Sequence, residues 1–221
     1  AYDVIRRIDR ESNIVVVLGG HLPETSPILY YSEDSVETPC GELHINRHLI
    51  DFISKELPSQ MDIRADNTIE VQLPLIKALM GTVEIVPLRV PSGDKCLEIV
   101  PLIIEYGAIN NLKIAVIGST DLTHYGPNYN FEPESSLADP VEWVRKRDNK
   151  ILQAMINNQV QEILNLARIE FSACSAGAAA CTSLFASLMN NSRGKLLKYD
   201  TSLSKHEANS FVGYGSIIYE N

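Results

Sequence analysis

Residues 112–126 read LKIAVIGSTDLTHYG. The first six, Leu112 to Ile117, form a short apolar run that reads as a buried strand. It ends at Gly118, and the polar turn that follows sets Asp121 and His124 three residues apart. A second stretch has the same plan. Asn13 to Leu18, NIVVVL, is a β-branched run closed by Gly19 and Gly20, and His21 follows directly. Between the two lie segments with helical periodicity. Buried strands alternating with helices indicate an α/β domain with a mostly parallel sheet and helices on both faces.

Outward from these strands the pattern continues. Leu43 to Leu57 carries Leu49, Ile50, Ile53 and Leu57 as a helical stripe. Asp66 to Met80 carries Ile69, Leu73, Ile76 and Met80 on one face, with Pro74 placed to kink or delimit it. VEIVPLRV, Val83 to Val90, is a strand whose proline suggests an edge or a bulge. Asp94 to Tyr106, Pro140 to Asn157, Val160 to Arg168 and the small-residue stretch Ala173 to Leu188 read as helices, and Pro140 suits a first turn. Pro127 to Asp139 reads as a loop. Leu196 to Tyr199 and Ser210 to Tyr219 are strands that can pair antiparallel around the polar loop Lys205 to Asn209. No repeat or linker composition divides the chain, so residues 1–221 read as one domain.

Hydrophobic residues make up 45% of the 221, enough for a real core. The net charge of −9 argues against nucleic acid and against anionic membrane surfaces, both of which need a basic face. No apolar run approaches the roughly 20 residues of a spanning helix. Cys40, Cys96, Cys174 and Cys181 show no zinc-ribbon spacing, and a domain of this size needs no disulfides. Reduced thiols and the lack of a basic-then-apolar start point to the cytoplasm. The opening AYDVIRR reads as a chain already in progress.

In open α/β sheets, sites form beyond the carboxyl ends of strands. The turns after the two apolar runs present His21, Asp121 and His124 there. Imidazole and carboxylate together suit iron, zinc or copper, or proton transfer. The plainer alternatives are a helix-capping Asp121 and a surface His124. Cys174, in FSACSAG, opens the small-residue helix, where a thiol can be a soft ligand, a nucleophile or a small core residue. Cys181, seven residues on, reads as core. In DNTIEVQLP, Asn67 and Glu70 share a helical face. Glu70 could reach the crevice as an acid or base, or remain a solvated helix residue. His44, His48 and His206 have no evident partners.

LGGHLPETS, TPCGEL, NTIEVQLPLIKAL, STDLTHYGP, SACSAG and YDTS with NSFVGYGSIIY occur in the order that marks Memo-like proteins. These include the AmmeMemoRadiSam system protein B, and the resemblance spans essentially the whole chain. It implies a fold like the class III extradiol dioxygenases, with a non-haem metal pocket. It implies His21 and Cys174 as metal ligands, Asp121 and His124 as the polar pair lining the pocket, and Glu70 as an acidic residue of the IExQLP block. A further metal-binding His belongs to a PHAGYxYSG-type segment that in the family precedes the position of Ala1. Asn67 stands where many members have His, and Ser175 where Gly is usual after the cysteine.

Two functions follow from that resemblance. One is a metal-dependent redox or dioxygenase-type enzyme, with iron or copper favoured by the thiolate and zinc as an alternative, acting on an oxygen-bearing small molecule. The other is a non-catalytic protein that holds a metal ion or a peptide in the same pocket. A Cys in place of a carboxylate argues against a plain catechol dioxygenase.

Overall fold

The computed structural model describes residues 1–64, 66–132, 139–190 and 193–219. Its centre is the strand foreseen at NIVVVL. β1 (Ile14–Gly19) is buried along its whole length, so both faces of the sheet are covered. It pairs in parallel with β6 (Glu84–Arg89) on one side and β7 (Ile114–Gly118) on the other. Beyond β6 lie β2 (Ile28–Tyr31) and β5 (Ser59–Asp62), giving the order β5-β2-β6-β1-β7. Only the β2–β6 contact is antiparallel. β3 (Ser35–Thr38) and β4 (Gly41–His44) form a separate hairpin. A second sheet, β8-β10-β9, is built from β8 (His124–Tyr125), β9 (Lys195–Thr201) and β10 (Phe211–Ile218). The antiparallel pairing expected of the last two strands is present.

The helices are α1 (Tyr2–Ile5), α2 (Arg47–Glu56), α3 (Asn67–Glu70), α4 (Leu73–Met80), α5 (Ile99–Asn110), α6 (Pro140–Ile156), α7 (Val160–Glu170) and α8 (Ala176–Leu188). α8 packs on β7 and β1, α5 on α8, and α2 on α5 and β6, while α3 packs on β1 and β6. The α/β architecture read from the sequence is the one observed. Asn46 caps α2 by accepting the Leu49 N–H at 2.9 Å, and Asp139 caps α6 by accepting the Glu142 N–H at 3.0 Å. Pro140 occupies the first turn of α6, as its position suggested.

Three element readings are corrected. The helix expected from Leu43 begins only at Arg47, because Leu43 points into the core from β4. The helix expected over Asp66–Met80 is two helices, with Pro74 in the first turn of the second. Pro87 lies not on an edge strand but on β6, between β1 and β2. The alternation of a parallel strand explains this. Glu84 and Val90 donate their N–H groups toward β1, so Pro87, out of phase with them, faces the other side. There Ile85 bridges Ile45 and β2 pairs only Leu88 and Arg89, so the missing N–H falls in a gap of the ladder. Of the loop read over Pro127–Asp139, residues 133–138 lie outside the described residues; Pro127–Tyr129 forms a single 3-10 turn.

Candidate metal centre at the carboxyl ends of β1 and β7

The turn after β7 is held by its own side chains. Thr120 Oγ1 accepts the Ser175 N–H at 2.9 Å, and the Cys174 N–H donates to the Asp121 carbonyl at 3.2 Å. In return the Asp121 N–H points at Cys174 Sγ, 3.2 Å away. Ser175 Oγ donates to the Gly20 carbonyl at 2.6 Å, so the same segment is tied to the end of β1. Gly20 makes this closure possible. Its φ is +109°, and a Cβ there would lie 2.7 Å from the Arg89 side chain. The turns after β1 and β7 and the start of α8 therefore form one cross-linked unit.

That unit brings Asp121, His124 and Cys174 together. One ligand atom from each lies within 4.8 Å of the others, and all three side chains are partly exposed. His124 Nε2 is 3.4 Å from Asp121 Oδ2, and its ring stacks obliquely on Tyr129 at 4.8 Å. A carboxylate, an imidazole and a thiol at this separation suit a transition metal, since the set adds borderline and soft donors to the hard carboxylate and comes from two segments already braced against each other. The expected pocket pair and the expected soft ligand thus occupy one place. The helix-cap alternative for Asp121 does not arise, because the residues after it form β8 rather than a helix.

His21 approaches Cys174 from the β1 side and stands outside that three-residue group. Its pKa is raised to about 9, first by interaction with the Cys174 sulfur and then by Asp66, against the opposing effect of desolvation. Because the folded value exceeds the ordinary 6.5, the stabilising contribution of the His21 proton is complete below about pH 6.5. It is lost as pH rises through about 9. A metal ion bound at His21 must displace that proton. Metal affinity is accordingly expected to rise by at least about tenfold per pH unit between about pH 7 and 9. Isothermal titration in buffers of different ionisation enthalpy measures the released proton, and a pH-independent affinity would exclude His21 as a ligand.

Glu70 takes no part in the group. It sits exposed on a four-residue helix, near enough to Tyr31 for its charge to add to the burial that raises that phenol's pKa to about 12. Cys181 is fully buried, as expected of a core residue. His44, His48 and His206 are exposed. The residue that sequence reasoning passed over is Asp66. It is 6% exposed, accepts the Thr68 N–H at 3.0 Å through Oδ1, and sets Oδ2 3.2 Å from His21 Nδ1. Its sequence signal, an Asp opening the helical stretch, denotes only a cap. A cavity of about 600 Å³ lies elsewhere. It runs along β7 and β10 past Val4, Ile8, Val116, Phe185 and Ile217, and reaches Thr120 but none of the candidate ligands. Arg7, Asp9, Ser12 and Lys113 also line it.

The family model for Memo-like proteins matches residues 1–218. The chain belongs to the Memo-like protein family. A MEMO1 family protein of Thermococcus onnurineus is 30% identical over 221 residues, covering 92% of this chain and 75% of that protein. One from Pyrococcus furiosus is 28% identical over 219 residues, covering 93% and 75%. One from Methanopyrus kandleri is 23% identical over 227 residues, covering 99% and 76%. These Memo-like relatives agree with the resemblance carried by the ordered sequence blocks. Among the described residues no helix is long and apolar enough to cross a membrane.

Proposed function

We propose that this Memo-like protein binds a transition metal, iron or copper in preference to zinc, and uses it in redox or dioxygenase-type chemistry on an oxygen-bearing small molecule. The observation that carries the proposal is the convergence of Asp121, His124 and Cys174 within 4.8 Å beyond the carboxyl end of β7, the edge strand beside β1. Asp121, His124 and Cys174 would hold the metal or border it, with His21 joining from the β1 side. The bound ion would supply Lewis acidity and a route for electrons.

The chain's own residues do the rest. The Asp121 carboxylate orients the His124 ring through Nε2, so His124 can take or give a proton with its tautomer fixed. Tyr129 limits the ring's rotation from one side. The brace of Thr120, Ser175 and Gly20 keeps both turns in register, so a bound small molecule meets donors that are already placed. A cytoplasmic location and a small-molecule or peptide ligand remain part of this reading, with no role for nucleic acid or membrane.

The test is anaerobic titration with Fe(II), Cu(I) and Zn(II), followed by O2 uptake with a panel of aromatic diols. About one equivalent of iron or copper per chain and metal-dependent O2 uptake, abolished in His124→Ala, are expected. Stoichiometric metal without turnover across the panel would favour a binding protein. No bound metal at all would overturn the proposal.

A further inference from the structure

We infer that Asp66 is a positioning residue for His21: it holds Nδ1 as the N–H of the ring and leaves Nε2 as the atom presented to Cys174 and to any ion bound beside it. The inference rests on the metal-pocket reading above and deepens it.

The His21 side chain is 42% exposed, so packing alone does not fix its ring. Asp66 supplies what packing lacks. The Asp66 carboxylate divides its two oxygens between two tasks. Oδ1 accepts both the N–H and the hydroxyl of Thr68, which caps α3. Oδ2 faces His21 Nδ1 at 3.2 Å and Arg89 Nε at 3.2 Å. Arg89 is held in turn by both oxygens of Asp62, each at 3.3 Å, and its side chain is only 11% exposed. The result is a row of alternating charge, Asp62, Arg89, Asp66 and His21.

The backbone closes the same circuit. Thr68 Oγ1 accepts the Gly20 N–H at 2.8 Å, so the residue before His21 is fixed by the residue that fixes Asp66. A ring nitrogen that points at a carboxylate also flanked by an arginine is held as the hydrogen-bonded partner of that carboxylate. An imidazole has one other nitrogen, and it is free for the pocket. Carboxylates placed behind metal-binding histidines in this way set the tautomer and raise the basicity of the ligating atom. A cap for a four-residue helix would need only Oδ1. The second oxygen is shared between Arg89 and His21, so it ties the His21 ring to a nearly buried ion pair.

The experiment is ¹⁵N NMR of the His21 ring in metal-free protein at about pH 10, where the imidazole is neutral, together with Cu(I) and Zn(II) titration. In the wild-type chain His21 is expected as the Nδ1–H tautomer. Asp66→Asn keeps an oxygen for Thr68 but turns an amide N–H toward His21, and is expected to shift the ring to Nε2–H and weaken metal binding by about 10- to 100-fold. Thr68→Val weakens the cap and leaves Oδ2 in place, so it is expected to lower stability while keeping the wild-type tautomer. An Nε2–H ring in the wild type, or an unchanged tautomer in folded Asp66→Asn, overturns the inference. The wild-type result decides this even where Asp66→Asn fails to fold. The expected tautomer in a protein that binds no metal would instead sink the metal reading and leave the positioning role standing.

Discussion

Cys174→Ala is expected to lower the affinity for Cu(I) by at least about 100-fold, roughly 2.7 kcal/mol, with the fold intact. Cys174 contributes the soft donor of the cluster, and the carboxylate and imidazoles around it are harder. Changes at groups that only support a ligand cost about 10- to 100-fold, so loss of the sulfur itself should reach the upper end or exceed it. The fold should survive because the ties that shape this segment do not use the sulfur. The Cys174 N–H to the Asp121 carbonyl, the Ser175 N–H to Thr120 and the Ser175 hydroxyl to Gly20 are all retained. What is lost is an acceptor for the Asp121 N–H at 3.2 Å, at a site where water can replace it because the side chain is partly exposed. Cys174→Ser sharpens the test. It keeps an acceptor for that N–H but replaces a soft donor by a hard one, so Zn(II) binding should fall less than Cu(I) binding. Competition against a chromogenic chelator measures both. Unchanged Cu(I) affinity in either variant would remove Cys174 from the site.

The strands that build this site were legible because each is an unbroken apolar run; β1 is buried throughout, and β7, at the sheet's edge, is partly buried. NIVVVL and LKIAVI need no alternation to be recognised, and the glycines that end them mark where the chain must turn. The outer strands carry no such mark. β3 (SVET) and β5 (SQMD) are four residues long and largely polar, held by backbone pairing that a one-dimensional pattern does not encode. Leu43 opens the segment read as a helix while belonging to a strand, since a buried leucine looks the same in either element. Pro87 misled for a related reason. Its cost depends on which neighbour its nitrogen faces, and that is a property of the sheet.

The site divides along the same line. Asp121 and His124 are three apart, and their pairing is local enough to read. Cys174 and His21 gained their meaning from the resemblance, since a small residue in a small-residue helix and a histidine in a turn have ordinary explanations. Asp66 escaped because its decisive contact is with a residue 45 positions away, while its local contact with Thr68 satisfies the usual account of an aspartate before a helix. The spacing of Glu70 from Asn67 leaves its direction open, and a helix of four residues has no sustained face to direct it.

Asp148→Ala is expected to destabilise the protein by about 2–4 kcal/mol, and Asp148→Asn by no more than about 1 kcal/mol. Asp148 is on α6 and wholly buried. Its Oδ1 accepts the Thr123 N–H at 3.0 Å, and its Oδ2 accepts the Tyr199 hydroxyl at 2.9 Å. Alanine would leave the buried Thr123 N–H and the partly buried Tyr199 hydroxyl without this acceptor, and an unmet buried donor costs about 1–3 kcal/mol. Thr123 lies between Leu122 and His124, so the carboxylate also anchors the turn that carries the pocket pair. Gly213 shows how closely the site is built around it, since a Cβ there would fall 1.9 Å from Asp148 Oδ2. Asparagine fits the same space. Its oxygen can accept from Thr123, and its amide can donate to the Tyr199 oxygen. Burial raises the Asp148 pKa above its ordinary 3.8 despite these hydrogen bonds. A carboxyl whose folded value is raised binds its proton more tightly in the folded state, so its contribution to stability grows as pH falls through that value. Asparagine has no such proton. The wild type should therefore gain on Asp148→Asn as pH drops from neutral, measured by urea unfolding at a series of pH values. A neutral Asp148→Ala, or a gap between wild type and Asp148→Asn that stays constant with pH, would show that the buried carboxylate neither anchors the turn nor carries the cost of its charge.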